Sequence, residues 1–251
     1  MAGKIKQTER DLEFRRVAVK IANRITAKIR QAPSQGPATK ALVGLLTRVT
    51  NACTSIGVLI DKSPRQPDAD CATILRSMYD AMLQGLYILK DPTQREKRAR
   101  LFLDYVVVER YRFMELLDGN PTPFAKKLKS SPARSLGEPE LGQKFNQVKS
   151  QFLTPKGKLR TTWYEGSLRD LARHVGLEDE YEILQRILSN IVHSTPLTLR
   201  YGPLIRGNHL PTFAWQFGIR LLGAVADYAG VSLDDEERDL VESMDKSVLG
   251  S

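Results

Sequence analysis

Apolar residues recur at helical spacing along almost the whole chain, and this periodicity constrains the fold more than any other feature. Val17, Ile21, Ile25 and Ile29 occupy every fourth position of the first segment, the pattern of an amphipathic helix with one face in a core. No segment shows the strict alternation of apolar and polar residues that is typical of a half-buried strand. The sequence therefore predicts an all-α bundle of about eight or nine helices, the first of them long and basic.

Proline, glycine and capping residues divide this pattern into separate helices. Asp91-Pro92 resembles an N-cap followed by proline at the first helical position, and Gly176 is placed to end a helix in the left-handed conformation. Helices are predicted at about 8–31, 39–61, 68–90, 92–118, 140–152, 167–175, 178–192, 213–229 and 234–248. The polar, lysine-rich stretch 121–139 is expected to be a mobile loop. We expect an N-terminal arm at 1–36 and one helical domain at 37–251.

Cysteine and histidine are scarce, which excludes several classes of protein. Two cysteines, Cys53 and Cys71, and three histidines in 251 residues cannot form a disulfide framework or a multi-thiolate zinc site. The sequence also lacks a P-loop, a Gly-x-Gly-x-x-Gly turn and a His-Glu-x-x-His helix. We therefore expect no metal and no cofactor.

Charge is distributed unevenly along the chain. Residues 1–50 carry a net charge of +8 and residues 171–251 a net charge of −5, within an overall +9. Arg16, Lys20, Arg24 and Lys28, here called the basic stripe, lie one helical turn apart. A basic front and an acidic tail suggest RNA or another anionic partner at the N-terminal end, or pairing between the two ends. A solvated helix face without a partner is the alternative.

The N-terminus is charged at once and lacks the apolar region of a signal peptide. Two apolar stretches, 42–60 and 211–230, are interrupted by polar residues such as Arg48 and Asp227. A charged residue near the centre of a membrane helix costs about 2.5–3.5 kcal/mol, so both stretches read as core helices. We expect a cytoplasmic protein that does not contact a membrane.

Two blocks of sequence together resemble a known family. The first is Ile74-Leu75-Arg76-Ser77-Met78-Tyr79-Asp80-Ala81; the second begins at Trp163 and Ser167, passes through Gly176 and Tyr181, and ends at Ser189-Asn190-Ile191-Val192-His193. In order and spacing they resemble the bacterial domain-of-unknown-function family numbered 5677, over residues of about 40 to 200. Asp80 stands where that family usually has Glu, which shortens the reach of the carboxylate. The family name implies no activity.

A second similarity concerns chemistry. Arg186 and His193 are separated by six residues, a spacing that is similar to the Arg-x(4–6)-His pattern of HEPN-type helical ribonucleases and toxins. In that superfamily the residue after the arginine is usually polar, whereas in this chain it is the apolar Ile187. The resemblance implies a metal-independent ribonuclease that serves as a toxin or in phage defence.

On an ideal helix, Arg186, Ser189, Asn190 and His193 share one face. An imidazole can accept the proton of a ribose 2′-hydroxyl near neutral pH, and a guanidinium can stabilise charge on a phosphate. We therefore predict His193 and Arg186 as catalytic residues supported by Ser189 and Asn190, with a second copy across a dimer axis completing the site. Alternatively, this face is solvated and His193 only caps the helix.

Arg76 and Asp80 are one helical turn apart on a helix that is otherwise apolar. Buried, the pair would orient another group by a charged hydrogen bond; exposed, it would contribute little. We predict that they support the catalytic pair from a shared polar cluster in the core. The alternatives to a ribonuclease are a non-catalytic module that binds protein or nucleic acid through the basic stripe, and a helical pocket for a small ligand.

Overall fold

The computed structural model describes residues 2–31, 36–62, 68–130, 140–192, 210–239 and 242. The fold is all-α, as predicted. The described residues form nine α-helices: α1 (Ala2–Gln31), α2 (Pro37–Lys62), α3 (Asp68–Leu89), α4 (Arg95–Asp118), α5 (Pro123–Ser130), α6 (Leu141–Val148), α7 (Leu168–Val175), α8 (Glu178–Val192) and α9 (Leu210–Ala229). A 3-10 turn at Lys149–Phe152 follows α6, and residues 235–239 are helical.

Left-handed glycines end two of these helices. Gly176 has φ +81° and Gly230 has φ +60°. After each glycine the next amide bonds back five residues, from Leu177 to Ala172 O and from Val231 to Ala226 O, both at 2.9 Å. This is the Schellman motif, which a residue with a Cβ would strain. The predicted end of α7 at Gly176 is therefore confirmed.

The chain divides into two compact units, and the division does not fall at residue 36. The first unit comprises residues 1–95 and 168–251. In it α2, α3 and α9 pack on one another, α1 packs on α2 and α9, and α7 and α8 pack on α3. The first helix is thus part of this unit and not an arm, because its apolar stripe (Val17, Ile21, Ile25 and Ile29) is buried.

Close packing of α3 on α9 depends on a glycine. A Cβ built on Gly85 would collide with the side chain of Leu221. Met78, Met82 and Leu83 of α3 are fully buried around this contact. The helices that carry the polar residues discussed below are therefore held at a fixed separation by a dense apolar core.

The second unit comprises residues 96–167. Tyr105 of α4 donates its hydroxyl to Arg160 O at 3.0 Å, and Arg112 donates to Leu159 O at 3.0 Å. Ring contacts of Tyr105 with Phe152 and of Phe102 with Trp163 complete its interior. Trp163 is therefore a core residue of this unit, with 5% of its surface exposed.

The structure differs from the prediction within the stretch 121–139. Pro123–Ser130 is helical, because Thr122 caps its first turn by accepting the Ala125 amide at 3.3 Å and Pro123 suits the first helical position. Residues 131–139 lie outside the described residues.

One helix among the described residues, Pro37–Asp61, is long and apolar enough to cross a membrane, with a mean hydropathy of 1.4. Length and composition alone are weak support for a membrane span, because core helices pass the same test. This helix packs on α1, α3 and α9, and Leu42 and Ile56 are fully buried there. The cytoplasmic location stays a prediction.

Candidate functional site

The basic stripe of α1 is engaged by the acidic segment near the C-terminus. Lys20 Nζ lies 2.9 Å from Asp234 Oδ2 and 3.3 Å from Glu237 Oε1, and Arg24 Nη1 lies 2.6 Å from Glu237 Oε1. Arg16 Nη2 meets Glu236 at 3.3 Å, and Lys28 donates to the carbonyl oxygen of Gly230. Of the three interpretations of the uneven charge, the structure thus shows the pairing of the two ends of the chain.

Glu237 is the centre of this contact. Its side chain has no exposed surface, and it forms a capping box with Asp234: the Asp234 amide donates to Glu237 Oε2 at 3.0 Å, and the Glu237 amide donates to Asp234 Oδ1 at 2.9 Å. Burial alone would raise the pKa of Glu237, but hydrogen bonds from Arg24, the Asp234 amide and Lys20 outweigh it and lower that pKa. The carboxylate is therefore fully compensated.

The prediction that the basic stripe binds a nucleic acid remains untested by this contact. The stripe keeps part of its surface, since the side chains of Arg16 and Lys20 are 71% and 50% exposed. Arg24 and Lys20, however, already neutralise a buried carboxylate, and loss of Arg24 would remove its main partner. Glu237 was not predicted from the sequence, although Asp234-x-x-Glu237 has the spacing of a capping box.

A second polar cluster lies where α3 faces α2 and α8. Asp80 is partly buried, and its Oδ1 atom has no hydrogen-bond partner among the described residues. Burial raises the pKa of the Asp80 carboxyl, and the positive charges of Arg76 and Arg48 only partly oppose this. Arg48 of α2 donates to Ser77 Oγ at 2.6 Å. The two predicted supporting residues thus share one polar region with Arg48, a residue that the sequence did not single out.

Tyr181 joins this cluster from α8. Burial and the charge of Asp80 raise the pKa of its phenol, against the charges of Arg76 and Arg169. Its ring stacks on Tyr79 at 6.4 Å. The rings of Tyr79 and Tyr181 therefore bring the two sequence blocks together, and a supporting role of Arg76 and Asp80 stays a prediction.

Tyr79 and a buried ion pair extend the cluster toward α9. Glu180 Oε2 lies 2.7 Å from Arg220 Nη1, and both side chains are more than four-fifths buried. The Tyr79 hydroxyl is buried and has no hydrogen-bond partner among the described residues. Burial, followed by the charge of Glu180, raises the pKa of Tyr79. In the part of the chain that the structure describes, this cluster thus contains two buried polar atoms without a hydrogen-bond partner, Asp80 Oδ1 and the Tyr79 hydroxyl oxygen.

The predicted catalytic face of α8 lies on the other side of that helix. Leu184, Leu188 and Ile191 are buried, whereas Arg186 is exposed. Arg186 lies five positions after Tyr181, which places the two residues about 140° apart around the helix axis. Ser189 and Asn190 are partly buried. His193 lies outside the described residues, so its contacts with Arg186 stay a prediction.

The structure therefore does not bring Arg76 and Asp80 to Arg186. The pair lies near Tyr181 on the α3 side of α8, because that side carries the apolar residues that pack on α3. A direct supporting contact from Arg76 or Asp80 to the Arg186 guanidinium is not formed, and any support must act through the position of α8 itself.

Within the described ranges, no group of three or more His, Cys, Asp or Glu side chains is arranged to hold a metal ion. Cys53 and Cys71 are buried free thiols, and burial raises the pKa of Cys53 to about 12. A thiol that stays protonated at neutral pH is a poor nucleophile and a poor ligand. Cys53 is thus not a candidate nucleophile or ligand.

The model of the family of unknown function DUF5677 matches residues 39–204, about two thirds of the chain. This range contains both sequence blocks that carry the resemblance. No curated protein and no solved structure matches the chain.

Proposed function

Since the chain belongs to the family of unknown function DUF5677, whose name states no activity, we propose its function from its own residues. We propose that it is a HEPN-like, metal-independent ribonuclease that acts on RNA through the α8 face bearing Arg186, as a toxin or defence effector. The observation that carries this proposal is the exposure of Arg186 on the side of α8 opposite its buried residues. A guanidinium on that side is free of the core and accessible to a phosphate.

The proposed chemistry requires two functions on this face. His193 accepts the proton of the ribose 2′-hydroxyl, the 2′-oxygen attacks phosphorus, and the bond from phosphorus to the 5′-oxygen breaks. The products are a 2′,3′-cyclic phosphate and a 5′-hydroxyl that takes up a proton. Arg186 stabilises the negative charge of the phosphate during the step. A second copy of the chain in a homodimer provides a second histidine as the acid.

Arg76 and Asp80 have a positioning role in this proposal. They lie on α3, which packs on α8, and their charges act on Tyr181; through this packing they set the direction of the exposed face of α8. Ser189 and Asn190 lie between Arg186 and His193 in sequence and complete the polar side of the helix. None of these four residues is required to touch RNA.

A non-catalytic module that binds protein or nucleic acid through the basic stripe is the second candidate. The observation that favours it is that Arg16 and Lys20 keep 71% and 50% of their side-chain surface exposed even while paired. In this candidate RNA binds without cleavage, and binding depends on Arg16 and not on Arg186.

RNA cleavage by the purified protein in EDTA tests the proposal. Single His193→Ala and Arg186→Ala variants should each lose about 10²–10⁴-fold in rate, while the native chain keeps its activity without metal. Lys40→Ala is the matched control, since it removes one exposed positive charge from the first turn of α2. Melting temperatures of all variants should match that of the parent.

Two results would overturn the ribonuclease. Cleavage that is unchanged in both variants would identify a contaminant, and binding without cleavage that is weakened by Arg16→Ala alone would favour the module. Light scattering on the same samples measures the oligomeric state, and a strict monomer that cleaves RNA would remove the dimer from the proposal.

A further inference from the structure

A cleft of about 450 Å³ lies within the first unit, away from the α8 face. It is lined by Leu86, Leu89, Lys90, Arg95, Val175, Ala224, Asp227 and Tyr228. Small-molecule sites typically have volumes of about 300–1,000 Å³, with apolar walls and a few polar groups. This cleft has the size of such a site, and its lining is divided about equally between apolar and polar surface.

Arg95 is the polar group that distinguishes this cleft. Its guanidinium carbon lies 4.8 Å from the centroid of the Tyr228 ring, which gives a cation–π contact. The ring is itself fixed, because Tyr228 Oη and Thr39 Oγ1 are 2.9 Å apart. The guanidinium is therefore held in a defined orientation before any ligand arrives.

Arg95 also has an unused hydrogen-bond donor. Its Nε atom is buried and has no hydrogen-bond partner among the described residues. Because that Nε atom has essentially no exposed surface, a ligand cannot reach it, and the donors of Arg95 available in the cleft are its Nη–H groups. Two Nη–H groups of one guanidinium match the two oxygens of a carboxylate, so a carboxylate in the cleft would bind there.

The remaining lining residues define the rest of the ligand. Leu86, Leu89, Val175 and Ala224 supply an apolar wall, and the positive charges of Lys90 and Arg95 exceed the one negative charge of Asp227. We propose that this cleft binds a small molecule that joins a carboxylate to an apolar body, with Arg95 as its carboxylate-binding residue. The site is independent of the proposed ribonuclease face, because none of its lining residues belongs to α8.

Isothermal titration of the full chain with decanoate tests this proposal, with decanol and decyltrimethylammonium as probes of the same chain length. Decanoate should bind with a Kd of about 1 mM or tighter, and the two other probes at least about tenfold more weakly. Arg95→Gln and Arg95→Lys should each weaken decanoate binding by about tenfold or more, because lysine keeps the charge but lacks the planar pair of donors.

Two further variants separate loss of the site from loss of the fold. Ala224→Phe fills the cleft while leaving Arg95 in place and should abolish binding, whereas Lys40→Gln removes a positive charge elsewhere on the first unit and should leave it unchanged. All variants should melt within a few degrees of the parent, and Arg95→Lys serves as the test where Arg95→Gln does not fold. The proposal would be overturned if decanoate did not bind, or if decanol bound as tightly as decanoate. It would also be overturned if decyltrimethylammonium bound more tightly than decanoate, or if Ala224→Phe bound decanoate as the parent does.

Discussion

Two carboxylates of the first unit, Glu237 and Asp80, have pKa values that the fold shifts in opposite directions. Glu237 is completely buried but receives hydrogen bonds from Arg24 and from the Asp234 amide, so its pKa is lowered. Asp80 is only partly buried, yet one of its oxygens has no partner among the described residues, so its pKa is raised. The state of a buried charge therefore depends on its donors more than on its depth.

This difference also separates structural from functional candidates. A buried charge whose partners are all supplied by the chain holds two segments together, as Glu237 holds residues 234–239 on α1. Incompletely satisfied polar groups are the places where function is more often found. The Asp80 cluster and the cleft at Arg95 are of this second kind, and stability measurements can test the distinction.

The largest expected effect is that of Arg24→Ala. The substitution removes the main donor to a carboxylate with no exposed surface and should lower the free energy of unfolding by about 1–3 kcal/mol. This loss of stability is smaller than that for a fully buried ion pair, because 38% of the Arg24 side chain is exposed to solvent. Urea unfolding at pH 7 measures this loss of stability.

Arg16→Ala is the matched control on the same helix, because both partners of the Arg16–Glu236 pair are exposed. This substitution should change the free energy of unfolding by less than about 0.5 kcal/mol. Equal effects of the two substitutions would contradict a special role of Glu237.

Glu237→Gln should remove a pH dependence from stability. The folded chain holds the pKa of Glu237 below its ordinary range. The stabilisation by the carboxylate is therefore fully present above the pKa of the unfolded chain and is lost as the pH falls through the lower folded pKa. Unfolding curves recorded from pH 3 to pH 7 should show the parent more stable than the variant at neutral pH, with the two converging in acid. A constant difference across this range would show that the charge of Glu237 is not what stabilises the contact.

Asp80→Asn should have a smaller effect of the opposite sign. Burial raises the pKa of Asp80 in the folded chain, so folding favours the protonated carboxyl. The stability that this protonated form contributes is fully present below the pKa of the unfolded chain, and it is lost as the pH rises through the higher pKa of the folded chain. The neutral amide should therefore stabilise the protein by about 1 kcal/mol or less at pH 7, and the gain should disappear in acid. Differential scanning calorimetry at pH 3 and pH 7 measures both. A loss of stability at pH 7 would place Asp80 in the same class as Glu237.

Most of the helices could be predicted from the sequence, because their signals are local. The apolar stripe from Val17 to Ile29 and the C-terminal glycine at Gly176 each determine local structure with little help from the rest of the chain. The helix at Pro123–Ser130 was missed because its polar, lysine-rich composition resembles a loop, while the capping by Thr122 outweighs that signal.

The contents of the candidate sites were less predictable. The sequence places the polar residues of the two blocks on their helices. It does not determine which way each helix faces in the fold. The buried side of α8 carries Tyr181 toward Asp80 and turns Arg186 away, and this separates residues that the sequence grouped as one site. Arg48 and Arg95 carry no signal in the sequence, since each acquires its role only from a helix that is distant along the chain.

The sequence by itself determined that this protein is all-α, where most helices begin and end, and that its two ends carry opposite charge. These follow from spacing, capping and composition, which act between neighbouring residues. Only the tertiary structure decided that the charged ends pair with each other, that one Asp80 oxygen finds no partner among the described residues, and that Arg95 lies on Tyr228 beside an open cleft. Those outcomes depend on distances between helices that are far apart in the chain, and such distances are set by the packing of the whole core.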